Sequence, residues 1–118
     1  MAMLACGDLR KSKTFYRDIL GLLLIKDAAP HWVEFELGNG HRLGLHPASE
    51  TLAVVPGSLH LTFTVPNVDL LVSDARMAGI KIFQEPFSDT VGRIAVISDP
   101  DGYPVQVMSP AKVAKTRS

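Results

Sequence analysis

One pattern runs through this chain twice. A helix that carries Asp-Leu near its start and closes at a glycine occurs from Asp8-Leu9 to Gly21 and again from Asp69-Leu70 to Gly79. Each copy has a hydrophobic strand before it and three short strand-like segments after it. A supersecondary unit repeated at this distance marks a duplicated module. The order within each copy predicts an α+β chain made of two βαβββ modules.

In the first copy Leu9, Phe15, Tyr16, Ile19 and Leu20 recur near helical spacing, and Lys11, Lys13, Arg17 and Asp18 are left for the outer face. This predicts an amphipathic helix over residues 8–20. Asp8 suits the N-cap, where a carboxylate accepts from the unpaired amides of the first turn, and Gly21 suits the left-handed residue that ends a helix. Strands are expected over 22–25, 31–37 and 41–46, with a tight turn at Gly38-Asn39-Gly40.

Residues 47–57 follow neither period and hold two prolines and a glycine, which reads as a linker. The pattern then restarts, with a strand over 58–65, a helix over 68–77 closed by Ala78-Gly79, and strands over 81–83, 92–97 and 103–108. The expected organisation is a single domain over 1–110, with modules about 1–47 and 58–110. Residues 111–118, with Lys112, Lys115 and Arg117, read as a flexible solvated tail.

The length of 118 residues fits one domain. Twelve basic residues balance twelve acidic ones, so electrostatics points neither to nucleic acid nor to an anionic membrane surface. No apolar run approaches the ~20 residues of a membrane-spanning helix. A small molecule or another protein is the expected partner. The single cysteine, Cys6, alternates with Ala5 onto the core face, where an inert thiol is expected. The start Met-Ala-Met-Leu-Ala-Cys lacks the basic flank and long apolar run of a signal peptide, so a cytoplasmic location is expected. No Gly-rich phosphate loop, Gly-x-Ser-x-Gly elbow, paired-cysteine motif or basic aromatic stripe offers other chemistry.

The stretch from Gly7 to Ser12 and on through Phe15-Tyr16-Arg17-Asp18-Ile19-Leu20-Gly21-Leu22 resembles the first helix of glyoxalase I and of the fosfomycin and bleomycin resistance proteins. Ser58-Leu59-His60-Leu61-Thr62-Phe63 is similar to the fifth strand of that vicinal oxygen chelate superfamily. Gly92-Arg93-Ile94-Ala95 and Asp99-Pro100-Asp101-Gly102-Tyr103 are similar to its seventh and eighth strands. The resemblance implies that the two modules curl their mixed sheets into a cup with the helices outside. It also implies a homodimer, and a divalent metal with substrate inside the cup. Glyoxalases, ring-cleaving dioxygenases and drug-sequestering proteins share this scaffold, so function has to be read from the site.

Strand alternation sorts the candidates. In the fifth strand Leu59, Leu61, Phe63 and Val65 form the apolar set, which leaves His60, Thr62 and Thr64 for the cup. The resemblance puts His60 at a metal-ligand position and Gln106 where the family usually has Glu. It puts the first-strand ligand at Met1 and the fourth-strand Glu at Gly44, neither of which offers a good donor to a hard or borderline ion. His46 lies two residues beyond Gly44 on the same face, and Glu34 and Glu36 share the cup-facing parity of Trp32. Metal candidates are therefore His60, Gln106 and His46, with a glutamate as a possible fourth.

Each candidate also has a purely structural reading. His60 suits a packed histidine bonded to a carbonyl or water, His46 an exposed strand end, and Glu34 and Glu36 a solvated face. Trp32 suits either a stacking surface or a dimer seam, and Arg42 and Arg93 either an anion contact or ordinary surface cations. The first expectation is a glyoxalase- or bleomycin-resistance-like protein that binds a small organic molecule in a cup lined by Trp32, Arg42, His46, His60 and Gln106, without the usual metal. The alternative is a lyase, isomerase or dioxygenase in which zinc, nickel, iron or manganese on His60 and rearranged ligands polarises vicinal substrate oxygens.

Overall fold

The computed structural model describes residues 2–49 and 61–110. Met1, most of the expected linker, residues 58–60 of the expected fifth strand and the expected tail lie outside the described residues. The chain divides into two compact units, residues 1–59 with Asp99–Tyr103, and residues 60–98 with 104–118. Each unit holds one four-stranded mixed sheet and one helix-bearing segment, as the α+β reading expects.

In the first unit β1 (Ala2–Cys6) leads into α1 (Leu9–Thr14), which continues as a π-helical turn over Phe15–Ile19. Then come β2 (Leu23–Ala28), β3 (Trp32–Gly38) and β4 (His41–Pro47). The strand order is β1-β4-β3-β2, with β1 parallel to β4 and the other pairs antiparallel. Asp8 caps the helix by accepting from the amides of Arg10 and Lys11. Gly21 takes φ 71°, and the Leu22 amide returns to the Tyr16 carbonyl to close the segment.

Alternation places Leu4, Cys6, Val33, Phe35, Leu43 and Leu45 on one face of this sheet, all buried, with Leu9, Phe15, Tyr16 and Leu20 of the helical segment buried as well. Each such side chain contributes roughly 1.5–3 kcal/mol relative to exposure, so the register of β1, β3 and β4 is strongly specified. Cys6 is 1% exposed, and burial pushes its thiol up to about 12.

The turn Asp99–Tyr103 packs into this same unit through polar contacts. Asp99, 3% exposed, accepts from the Tyr16 hydroxyl and from the amides of Asp101 and Tyr103. Burial pushes its carboxyl up from the ordinary value against the pull of those three donors. Asp101 accepts from the Gly7 amide at 2.9 Å and from the Ser12 hydroxyl, and the Tyr103 hydroxyl donates to the Ala5 carbonyl.

In the second unit β5 (Leu61–Thr64), α2 (Val68–Met77), β6 (Ile82–Ser88), β7 (Gly92–Ser98) and β8 (Pro104–Pro110) give the order β5-β8-β7-β6, with β5 parallel to β8. Asn67 caps α2 at the Leu70 amide, and Gly79 at φ 80° ends it. Val68, Leu71, Val72 and Ala75 of the helix are buried, as are Ala95, Ile97, Val105 and Val107 of the sheet. Strand β6 runs through Pro86 to Ser88, beyond the expected 81–83. A proline fits there because β6 is an edge strand whose pairing with β7 is irregular between Gln84 and Phe87.

Candidate ligand-binding face

The side of the first sheet opposite its apolar face carries the polar residues of β3 and β4. Cross-strand pairing sets Glu34 beside Gly44 and Glu36 beside Arg42, and the same hairpin brings Trp32 to His46. The Trp32 and His46 rings are parallel within 7°, with centroids 6.4 Å apart. Lys26 of β2 pairs with Glu34 on the other side, and Met3 of β1 with Gly44.

Glu34 organises this surface. Its side chain is 10% exposed, accepts from the Trp32 indole N–H at 3.0 Å through Oε1, and accepts from Nη1 of Arg42 at 2.8 Å through Oε2. These two bonds hold its carboxyl below the usual glutamate range. The expectation of a solvated Glu34 is corrected here: the carboxylate lies beneath the indole and the guanidinium that bond to it. A carboxylate so held is a weak base and is better suited to fixing its two donors in place.

His46 is half-buried, and its Nδ1 stands 3.2 Å from the Pro47 carbonyl oxygen. A carbonyl only accepts, so in that contact Nδ1 carries the proton. Arg42 is the most exposed member of the ion-paired group, at 49%.

The second sheet has its own polar face. Gln106 of β8 is flanked in register by Thr62 of β5 and Val96 of β7, and Met108 by Thr64 and Ile94. This surface carries hydroxyl, amide and apolar groups without charge. Arg93, in contrast, is engaged through Nε and Nη2 with Asp69 and through Nη1 with Ser88.

Of the residues singled out in the sequence, Trp32, Arg42 and His46 come together in the first unit, and Gln106 belongs to the second. His60 and Met1 lie outside the described residues. Among the described residues no three His, Cys, Asp or Glu side chains gather to hold a metal ion. Gly44 supplies no donor, and both oxygens of Glu34 are engaged. Among the described residues, this donor set falls short of the three or four N, O or S ligands of a divalent centre. Sequence reasoning missed the Glu34 link between Trp32 and Arg42. Its signal was a Trp-x-Glu on one strand parity with an arginine on the partner strand of the same hairpin.

Known proteins with this architecture include TnmS3, an antibiotic-binding protein of Streptomyces sp. CB03234. It is 26% identical with a TM-score of 0.73, covering 92% of each chain. A glyoxalase/dioxygenase of Nostoc punctiforme shares the fold at a TM-score of 0.78 and 24% identity, covering 93% of this chain and 88% of that one. Among curated proteins, CFP32 of Mycobacterium bovis, provisionally named a glyoxylase, is 40% identical over 58 residues. That segment is 48% of this chain and only 22% of the relative. No helix among the described residues is long and apolar enough to cross a membrane. The description of the Glyoxalase/Bleomycin resistance protein/Dioxygenase superfamily matches residues 1–107, and the chain belongs to that superfamily.

Proposed function

We propose that this protein binds a small organic molecule on the polar face of its first sheet, against Trp32, Arg42 and His46, without a tightly held metal. The observation that carries the reading is the engagement of Glu34. A carboxylate that would otherwise serve as ligand or base is bonded at both oxygens to an aromatic and a guanidinium side chain. What remains at the surface is two parallel rings and a half-exposed cation, a combination suited to recognition. The likeness to TnmS3, described as an antibiotic-binding protein, is consistent with a binding role.

The reading also takes His60 and Gln106 of the second unit as ligand-binding residues in their own right, and it includes a cytoplasmic homodimer. Strand β2, at the edge of its sheet, exposes Leu23 and Ile25, apolar side chains suited to a protein partner. Sedimentation at micromolar concentration is expected to show a dimer, and a stable monomer contradicts that part.

Elemental analysis of protein purified without chelator tests the whole. Zinc, nickel, iron and manganese are expected far below one equivalent per chain. A stoichiometric ion that leaves with His60→Ala overturns the reading and establishes the metal-dependent alternative.

A further inference from the structure

Three arginines of the described residues meet a carboxylate through two nitrogens each, Arg76 holding Glu85 through Nη1 and Nη2. Arg17 grips Asp18 through Nε at 2.8 Å and Nη2 at 3.1 Å, and Arg93 grips Asp69 through the same two nitrogens at 3.0 Å each. The Nε/Nη2 edge, like the Nη1/Nη2 edge, is a fork that matches the two oxygens of a carboxylate. Arg42 is different. It is held through Nη1, by Glu34, and among the described residues its Nε/Nη2 edge makes no hydrogen bond.

The one carboxylate near that edge is restrained. Glu36 Oε1 stands 3.9 Å from Nε of Arg42, beyond hydrogen-bond distance, while its Oε2 accepts from the Gly38 amide at 3.1 Å. Exposure is divided in the same sense. Of the four charges on this face the two cations, Lys26 and Arg42, are exposed, whereas Glu34 is buried and Glu36 half-buried. An arriving molecule therefore meets positive charge in front of negative, beside the Trp32 and His46 rings.

We propose that the Nε/Nη2 fork of Arg42 is a receptor for a ligand carboxylate, so that this face selects flat aromatic acids, with Glu34 as the positioning residue that presents both Arg42 and Trp32. The assignment rests on the binding reading above and narrows it to a chemical class. A bidentate pair with a charged partner favours the acid over its neutral analogue by about tenfold or more. Lysine at position 42 keeps the charge and loses the fork.

Trp32 is the only tryptophan, so the protein has a single indole N–H resonance, and it reports on this site. Naphthoate, naphthylmethanol and naphthylmethylammonium are titrated against labelled protein while that resonance is followed. The acid is expected to bind about tenfold or more tightly than the alcohol, with the amine weakest, and Arg42→Lys to bring the acid-to-alcohol ratio near one. Equal affinities in the wild-type protein, or an unchanged ratio in Arg42→Lys, overturn the carboxylate assignment and leave the binding reading in place. If none of the three compounds shifts the resonance at millimolar concentration, both fall.

Discussion

The hydroxyl of Tyr16 donates a 2.7 Å hydrogen bond to the carboxylate of Asp99, joining the first helical segment to a turn 83 residues later in the chain. Tyr16 is fully buried and Asp99 is 3% exposed, so neither can exchange its partner for water. The pair fixes the segment that lies under β3 and β4, the two strands that present Trp32, Glu34, Arg42 and His46.

Tyr16→Phe removes a hydroxyl donor to a buried carboxyl group and is expected to lower stability by about 1–3 kcal/mol. Urea denaturation followed by circular dichroism measures it. A change within error of zero contradicts the role assigned to this bond.

Gly7→Ala tests the close approach on the other side of the same turn. A Cβ at position 7 would meet Oδ1 of Asp101 at 2.9 Å, the atom that accepts from the Gly7 amide. Relief requires moving Asp101 away from both Gly7 and Ser12, at about 1–3 kcal/mol by the usual range for overpacking. In a double-mutant cycle with Asp101→Ala the two effects are expected to be less than additive, and strict additivity contradicts the contact.

The pH response of the sheet face follows from Glu34. Bonds from Trp32 and Arg42 hold its folded pKa below the ordinary value of 4.5. A depressed carboxylate contributes stability that is fully present above 4.5 and is lost only as pH falls through the lower folded value. The Trp32 indole N–H shift is therefore expected to stay flat down through pH 4.5 and to move below it, with Glu34→Gln abolishing the step. A midpoint at or above 4.5 contradicts the geometry.

Cys6 is the only cysteine, and burial lifts its thiol to about 12. Little thiolate exists at neutral pH, and the sulfur is inaccessible. Aromatic disulfide reagents are expected to label it at pH 8 only in denaturant or at the rate of spontaneous opening. Rapid labelling of the native protein contradicts the packing of β1.

Local chemistry was legible in the sequence where it is set by neighbours in the chain. The Asp8 cap, the left-handed Gly21 and Gly79, and the alternation that separates Val33 and Phe35 from Trp32 and Glu34 all follow from short-range rules. The cap of α2 fell to Asn67, which the repeat of Asp-Leu did not single out, because an amide oxygen serves the Leu70 amide as well as a carboxylate would. Strand β6 outran its expected end since Pro86 reads as a breaker unless the edge position is known. The Tyr16–Asp99 bond could not be read at all, because no sequence period links residues so far apart. Glu34 was read correctly for its face and wrongly for its exposure, since strand parity does not say which neighbour's side chain folds over it.

The central claim is that an organic ligand sits against Trp32 with no metal between it and the protein. Its most direct test is the indole N–H titration repeated on protein stripped with chelator, before and after zinc, nickel, iron or manganese is returned. Saturable binding with the same affinity in all samples is the result expected here. Binding that vanishes on stripping and returns only with a metal ion would contradict the account.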